Sequence, residues 1–296
     1  MNPLDLVKLT PLMELTSGKP QVVIGLIDGP VAMSHPDLVG ARIREVPGEL
    51  GGTCAQAGSA ACMHGTFVAG MLAAKRGSPA PALCPDCTLL VRPIFAEATR
   101  WSGQMPSATP EGLATAIIET VDAGARVLNL SVALAQPSMV AQRDLEDALD
   151  YAASRGAIPV AAAGNQGMLA SSAIIRHPWV IPVAACDLQG RPLSESNLGS
   201  SIGRRGLSAP GDNISSLGAD GKPLTFAGTS AAAPFVTGTV ALLWSEFLTA
   251  TAAEVRFAVT QAYGRRRNTV VPLLLDAWAA YQFMVQTQVA KTQVRR

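Results

Sequence analysis

Val22-Val23-Ile24-Gly25-Leu26-Ile27-Asp28 is the stretch on which the fold turns. Up to the aspartate it is apolar without alternation. A strand with one wet face alternates apolar and polar residues. A continuous run instead reads as a strand buried on both faces, the habit of parallel sheets. Further runs of this kind follow at Thr88 to Ile94, Ala125 to Leu130, Ala157 to Ala163 and Val180 to Ala185.

Helical patterns lie between them. Pro110-Glu111 opens one that runs to about Val121, with Leu113, Ile117 and Val121 at helical spacing. Arg143 to Ser154 is another, with Leu145, Leu149 and Ala152 on one side and Asp144, Asp147 and Asp150 on the other. Gly156 stops it. Strands alternating with helices of this length predict an α/β fold with a mostly parallel central sheet and helices on both faces.

A chain of 296 residues fits one large α/β domain or two smaller ones. There is no internal repeat and no low-complexity linker, and the Gly-rich stretches Gly48 to Ala61 and Gly77 to Pro85 read as surface excursions. One domain over residues 21–285 is therefore expected, after an N-terminal extension (1–20) and before a basic C-terminal tail (286–296). With 48% hydrophobic residues, 15% charged residues and 27 glycines, the chain can bury a large core threaded by tight turns.

The net charge of +1 leaves no electrostatic footprint for nucleic acid or an acidic membrane surface. Arg265-Arg266-Arg267 and Arg295-Arg296 read as solvated loop and tail charge. The N-terminus has no basic segment followed by an apolar one, and the apolar runs fall short of the ~18 residues that cross a bilayer. A cytoplasmic protein is the expectation, although a domain cut from a longer chain would look the same. Five cysteines (Cys54, Cys62, Cys84, Cys87, Cys186) leave at least one unpaired and argue against a secreted disulfide framework. Cys84-Pro85-Asp86-Cys87 has the spacing of a redox or zinc half-site. Without a second such pair it reads as two loop thiols or a local disulfide, and no metal is expected.

Four positions carry possible chemistry. Asp28 ends the first strand, where it suits an Asx turn before Gly29-Pro30 or a carboxylate facing the crevice at the strand ends. His64, in Met63-His64-Gly65-Thr66-Phe67-Val68-Ala69-Gly70, stands where a helix begins, as a cap or as a general base. The other histidines, His35 and His177, both precede prolines in loop-like sequence. Ser230, in Gly228-Thr229-Ser230-Ala231-Ala232-Ala233-Pro234, opens an apolar helix with Val236, Val240, Leu242 and Leu243. It is an N-cap or a nucleophile facing unpaired helix amides. Asn165, after Ala162-Ala163-Gly164, is a turn residue or an oxyanion donor. Together they supply a base, its orienting carboxylate, a nucleophile and a donor, in the chain order Asp, His, Ser.

These stretches resemble the subtilases, the subtilisin-like serine peptidases. Val23 to Gly29 is similar to the aspartate motif, and His35-Pro36-Asp37-Leu38 to the segment that follows it. His64 to Gly70 resembles the histidine motif, Ala162 to Asn165 the asparagine segment, and Gly228 to Pro234 the serine motif. Within the family, Ile27-Asp28-Gly29-Pro30-Val31 and Val91-Arg92-Pro93-Ile94-Phe95 look most like the peptidases of cyanobactin-type maturation, which cut ribosomally made precursor peptides.

The resemblance implies a three-layer subtilisin-like fold, a peptide or protein substrate, and a triad of Asp28, His64 and Ser230. It further implies an oxyanion hole of Asn165 and the Ser230 amide. Ser131-Val132-Ala133 would lie along the substrate as an extended strand, and Ala162, Ala163 and Gly164 would line the S1 wall. Ala133 stands where the family often has glycine, and Phe67 where it usually has histidine. Arg176 would lie near the floor of S1 and favour an acidic residue. Asp37 matches a calcium ligand of many secreted members, yet Lys75 to Ala82 offers few oxygens, so no cofactor is expected. Asp28 lies too near the start to leave room for the usual pro-domain, which points to an intracellular enzyme. The rival expectations are a catalytically silent peptide-binding module and a broad-specificity intracellular protease.

Overall fold

Successive side chains of strand β1 (Val23–Asp28) point to opposite faces of the sheet, and both faces are covered. Ile24 and Leu26 join one buried core with Phe67, Phe235 and Trp244, whereas Ile27 joins a second with Leu113, Leu128 and Leu149. The computed structural model describes residues 2–97, 108–132, 143–169, 171–261 and 269–294.

The remaining strands are β2 (Arg42–Glu45), β3 (Thr88–Pro93), β4 (Val127–Leu130), β5 (Ile158–Ala162), β6 (Ile181–Cys186), β7 (Leu207–Pro210), β8 (Ile214–Leu217), β9 (Pro223–Phe226) and β10 (Leu273–Leu274). Eight of them form one sheet in the order β10-β7-β6-β5-β4-β1-β3-β2, with every pairing parallel, and β8 pairs with β9 as a separate antiparallel hairpin. The edge strand β2 carries Arg42, Arg44 and Glu45, charges that discourage further pairing.

The helices are α1 (Pro3–Leu6), α2 (Thr10–Leu15), α3 (Ala60–Ala73), α4 (Pro110–Asp122), α5 (Arg143–Ser154), α6 (Ala173–Arg176), α7 (Ser200–Arg205), α8 (Thr229–Glu246), α9 (Ala252–Gln261) and α10 (Ala277–Val294). α3 and α8 cover one face of the sheet, and α4 and α5 the other. This is the three-layer arrangement expected. α4 begins at its cap, where Thr109 Oγ1 accepts from Gly112 N at 3.1 Å, and Pro110 follows at the first position. Gly25 lets this helix approach, because a Cβ there would lie 2.2 Å from Thr120 Cγ2. α8 is apolar all round because it is buried all round.

α3 starts earlier than the sequence suggested. Ser59 Oγ accepts from Cys62 N at 3.1 Å and caps the helix, so His64 sits in the second turn rather than at the start. The N-terminal segment anchors on the core: Val7, Leu9 and Leu12 are fully buried in the α3–α8 core, and Ala277 N donates to Val7 O at 2.9 Å. The segment from 286 continues α10 as far as Val294. Arg265-Arg266-Arg267 and Arg295-Arg296 lie outside the described residues. No described helix is long and apolar enough to cross a membrane.

Candidate active site

Parity along β1 aims the first functional side chain. Ile24 and Leu26 face α3, and Asp28 is the next residue on that side. Its fully buried carboxylate places Oδ1 2.7 Å from His64 Nδ1, and the same oxygen accepts from Gly29 N at 2.6 Å. Two glycines allow the helix this close to the strand end. A Cβ on Gly29 would lie 2.0 Å from Ala61 O, and one on Gly65 would lie 2.4 Å from Gly29 O. His64 is 2% exposed, and its Nε2 has no hydrogen-bond partner among the described residues.

The start of α3 is secured from outside the sheet. A disulfide joins Cys54 to Cys62, two residues before His64. Cys54 N donates to Val31 O at 3.0 Å, and the Glu97 carboxylate accepts from Ala55 N and Gln56 N. The odd cysteine count hid this pairing. The other three cysteines are free and buried. Cys84 and Cys87 are hydrogen-bonded thiols, a contact that raises the Cys84 thiol and lowers that of Cys87.

Ser230 is the second residue of α8 and is half-buried. Gly228, at φ +114°, turns the chain into the helix. Thr229 N and Oγ1 both donate to Asn165 Oδ1, at 2.8 and 2.9 Å, and Thr229 Oγ1 accepts from Gly164 N at 3.1 Å. These bonds fix the amide orientation, with Oδ1 engaged by Thr229 and Nδ2 as the other end. The next amide, Ser230 N, finds no acceptor among the described residues. Asn197 braces the other side of the same turn through Ala163, Gly164, Gln166 and Met168.

The ring of Phe226, four residues before Ser230, joins the two halves. It lies 5.6 Å from the His64 imidazole and 4.6 Å from the Phe67 ring.

Ser131 and Val132 leave the end of β4, and Ala162, Ala163 and Gly164 the end of the adjacent β5. Ser131 Oγ accepts from Asn129 Nδ2 at 2.7 Å, and Thr237 Oγ1 of α8 donates to Asn129 Oδ1 at 2.8 Å. Ala133 lies outside the described residues. Arg176, the last residue of α6, donates from Nη1 to Ser171 O at 2.9 Å, just before that helix.

Asp37 lies beside Lys75. The Lys75 ammonium donates to Pro36 O at 2.9 Å, and Lys75 N donates to Asp37 O at 2.9 Å. Phe226, Glu97 and Asn197 were missed in the sequence because each is far along the chain from what it supports. Thr229 stood beside Ser230 and was legible as a hydroxyl within the motif.

The chain spans little more than half the length of the first curated relatives it matches. A thermophilic serine proteinase of Bacillus sp. (strain AK1) is 32% identical over 243 residues, covering 79% of this chain and 54% of that protein. Among solved structures, the protease domain of PatA superposes with a TM-score of 0.82 at 29% identity, covering 91% of this chain and 97% of that one. The prenylagaramide maturation protease PagA gives 0.81 at 27% identity, covering 93% and 98%. The subtilase (peptidase S8) family model matches residues 19–275, and the chain belongs to that family.

Proposed function

We propose that this chain is a serine endopeptidase that cuts a ribosomally made precursor peptide through an acyl-enzyme. The observation that carries the reading is the buried Asp28–His64 contact of 2.7 Å. Asp28 engages Nδ1 and so leaves Nε2 as the nitrogen that takes a proton. The tetrahedral step needs that base, a hydroxyl and an oxyanion donor.

In this scheme Ser230 Oγ attacks the scissile carbonyl while His64 Nε2 takes its proton and then returns it to the leaving amine. Asp28 holds the tautomer and stabilises the imidazolium. Asn165 Nδ2 and Ser230 N receive the oxyanion; loss of such an asparagine costs about 10²–10³ in kcat, as measured in subtilisin. Ser131, Val132 and Ala133 take the substrate backbone as an added strand, and Ala162, Ala163 and Gly164 wall the residue before the cut. The precursor-peptide substrate is supported by the similarity to PatA and to a protease named for prenylagaramide maturation.

A fluorophosphonate probe tests the chemistry. Wild-type protein should be labelled, and Ser230→Ala and His64→Ala should not. Labelling that survives in Ser230→Ala would overturn the nucleophile assignment. Mass spectrometry of a precursor-peptide library should then show one cut per peptide; indiscriminate cutting of casein would overturn the maturation role.

A further inference from the structure

Asn197 is 6% exposed and makes five hydrogen bonds to the segment around Asn165, yet none to Asn165 itself. Its Nδ2 donates to Ala163 O at 3.2 Å and to Gln166 Oε1 at 2.6 Å. Its Oδ1 accepts from Gln166 N at 3.1 Å and Met168 N at 3.0 Å. Its own N–H donates to Gly164 O at 2.8 Å. The bonds therefore bracket Asn165 on both sides.

We propose that Asn197 is the positioning residue for the oxyanion donor, holding the Ala163–Met168 turn so that Asn165 Nδ2 meets the developing charge. The inference rests on the role given to Asn165 above. Two anchors act on that residue from opposite sides. Thr229 fixes the amide head, and Asn197 fixes the backbone from which it projects.

The turn needs the second anchor because it is exposed. Residues 165–169 all lie at the surface, and Gly164 turns at φ +103°. Without a brace the backbone would wander by the fraction of an ångström that an oxyanion donor cannot spare. The fit is close: a Cβ on Gly164 would stand 2.5 Å from Asn197 Nδ2. The flanking chain acts as a splint. Gly167 N donates to Glu195 O at 2.8 Å, Leu198 N donates to Met168 O at 3.0 Å, and Leu169 bridges to Leu198. A carboxamide suits the position because it offers donors and acceptors together. Aspartate would keep the acceptors and lose both Nδ2 bonds.

The test is a double-mutant cycle read by the rate of fluorophosphonate labelling, since phosphonylation places an anionic oxygen in the same hole. Asn197→Ala should slow labelling about 10- to 100-fold when Asn165 is present. In the Asn165→Ala background it should slow it less than about twofold. Asn197→Asp should fall between, and it serves as the cycle partner if the alanine variant does not fold. Equal slowing in both backgrounds, or none in either, overturns the proposal. If Asn165→Ala alone labels at the wild-type rate, the role of Asn165 has failed, and this inference falls with it.

Discussion

Phe67 packs against Phe226 with ring centroids 4.6 Å apart, and Phe226 in turn lies 5.6 Å from the His64 imidazole. Phe67 is fully buried on α3, and Phe226 ends the hairpin that leads into Ser230. The pair is therefore a packing link between the helix that carries His64 and the approach to Ser230. Aromatic pairs at such distances add about 0.5–1.5 kcal/mol beyond their buried area. Phe67→Ala should destabilise the fold by about 3–5 kcal/mol and slow fluorophosphonate labelling of the fraction that remains folded. Urea unfolding beside labelling rates checks both. A loss under about 1 kcal/mol would show that the cluster does not join the two halves.

The disulfide should act on the same helix from its other end. Closing the short loop between Cys54 and Cys62 is worth about 2–3 kcal/mol in the chain-entropy account. The double variant Cys54→Ala, Cys62→Ala should lose about that much and become more mobile around His64. Hydrogen exchange across Ala60–Ala73 is the readout, and unchanged protection there would sink the idea. Thiol titration of the denatured, unreduced protein should find Cys84, Cys87 and Cys186 only. In the native protein all three should resist alkylation, because they are buried and burial pushes the Cys186 thiol up to about 12. The disulfide bears on compartment too, because such bonds persist in oxidising surroundings.

The core strands and the four chemical groups were legible because each is a local pattern. Val22 to Ile27 is unbroken and apolar because both faces of β1 are covered. Gly29 and Gly65 flank the Asp28–His64 contact because no Cβ fits there. What stayed hidden depends on distant partners. β7, the β8–β9 hairpin and β10 are only two to four residues long, too short for any period to register. Ser59 as the α3 cap lay inside a small, polar loop that gave no reason to prefer it over its neighbours. Asn197 follows Ser194-Glu195-Ser196, an unremarkable polar run, and its five bonds exist only once β5 and β6 lie side by side.

The Thr237–Asn129–Ser131 chain should matter to substrate binding rather than to chemistry. Thr237 and Asn129 are fully buried, and their 2.8 Å bond ties α8 to the end of β4. Thr237→Val keeps the shape and leaves Asn129 Oδ1 without its donor, at a cost of about 1–3 kcal/mol. Asn129 also holds Ser131, so KM for peptides occupying several subsites should rise while kcat changes little. Thr237→Ser should restore wild-type behaviour. Identical effects from valine and serine would mean that the hydroxyl plays no part.

Gly228 offers the sharpest separation of backbone strain from site geometry. It sits at φ +114°, and a Cβ there would lie 2.7 Å from Asn165 Nδ2 and 3.0 Å from its Cγ. Gly221, in the β8–β9 turn, has a comparable φ of +84°, but a Cβ there meets nothing within 4 Å. Alanine at either position carries the strain of a left-handed backbone, about 1–3 kcal/mol. Only Gly228→Ala also pushes the Asn165 amide aside. Both variants should therefore lose similar stability in urea, whereas fluorophosphonate labelling should fall by about 10-fold or more in Gly228→Ala alone. Equal labelling of the two folded variants would mean that Asn165 has room to move without penalty, and its placement beside Thr229 would lose its functional meaning.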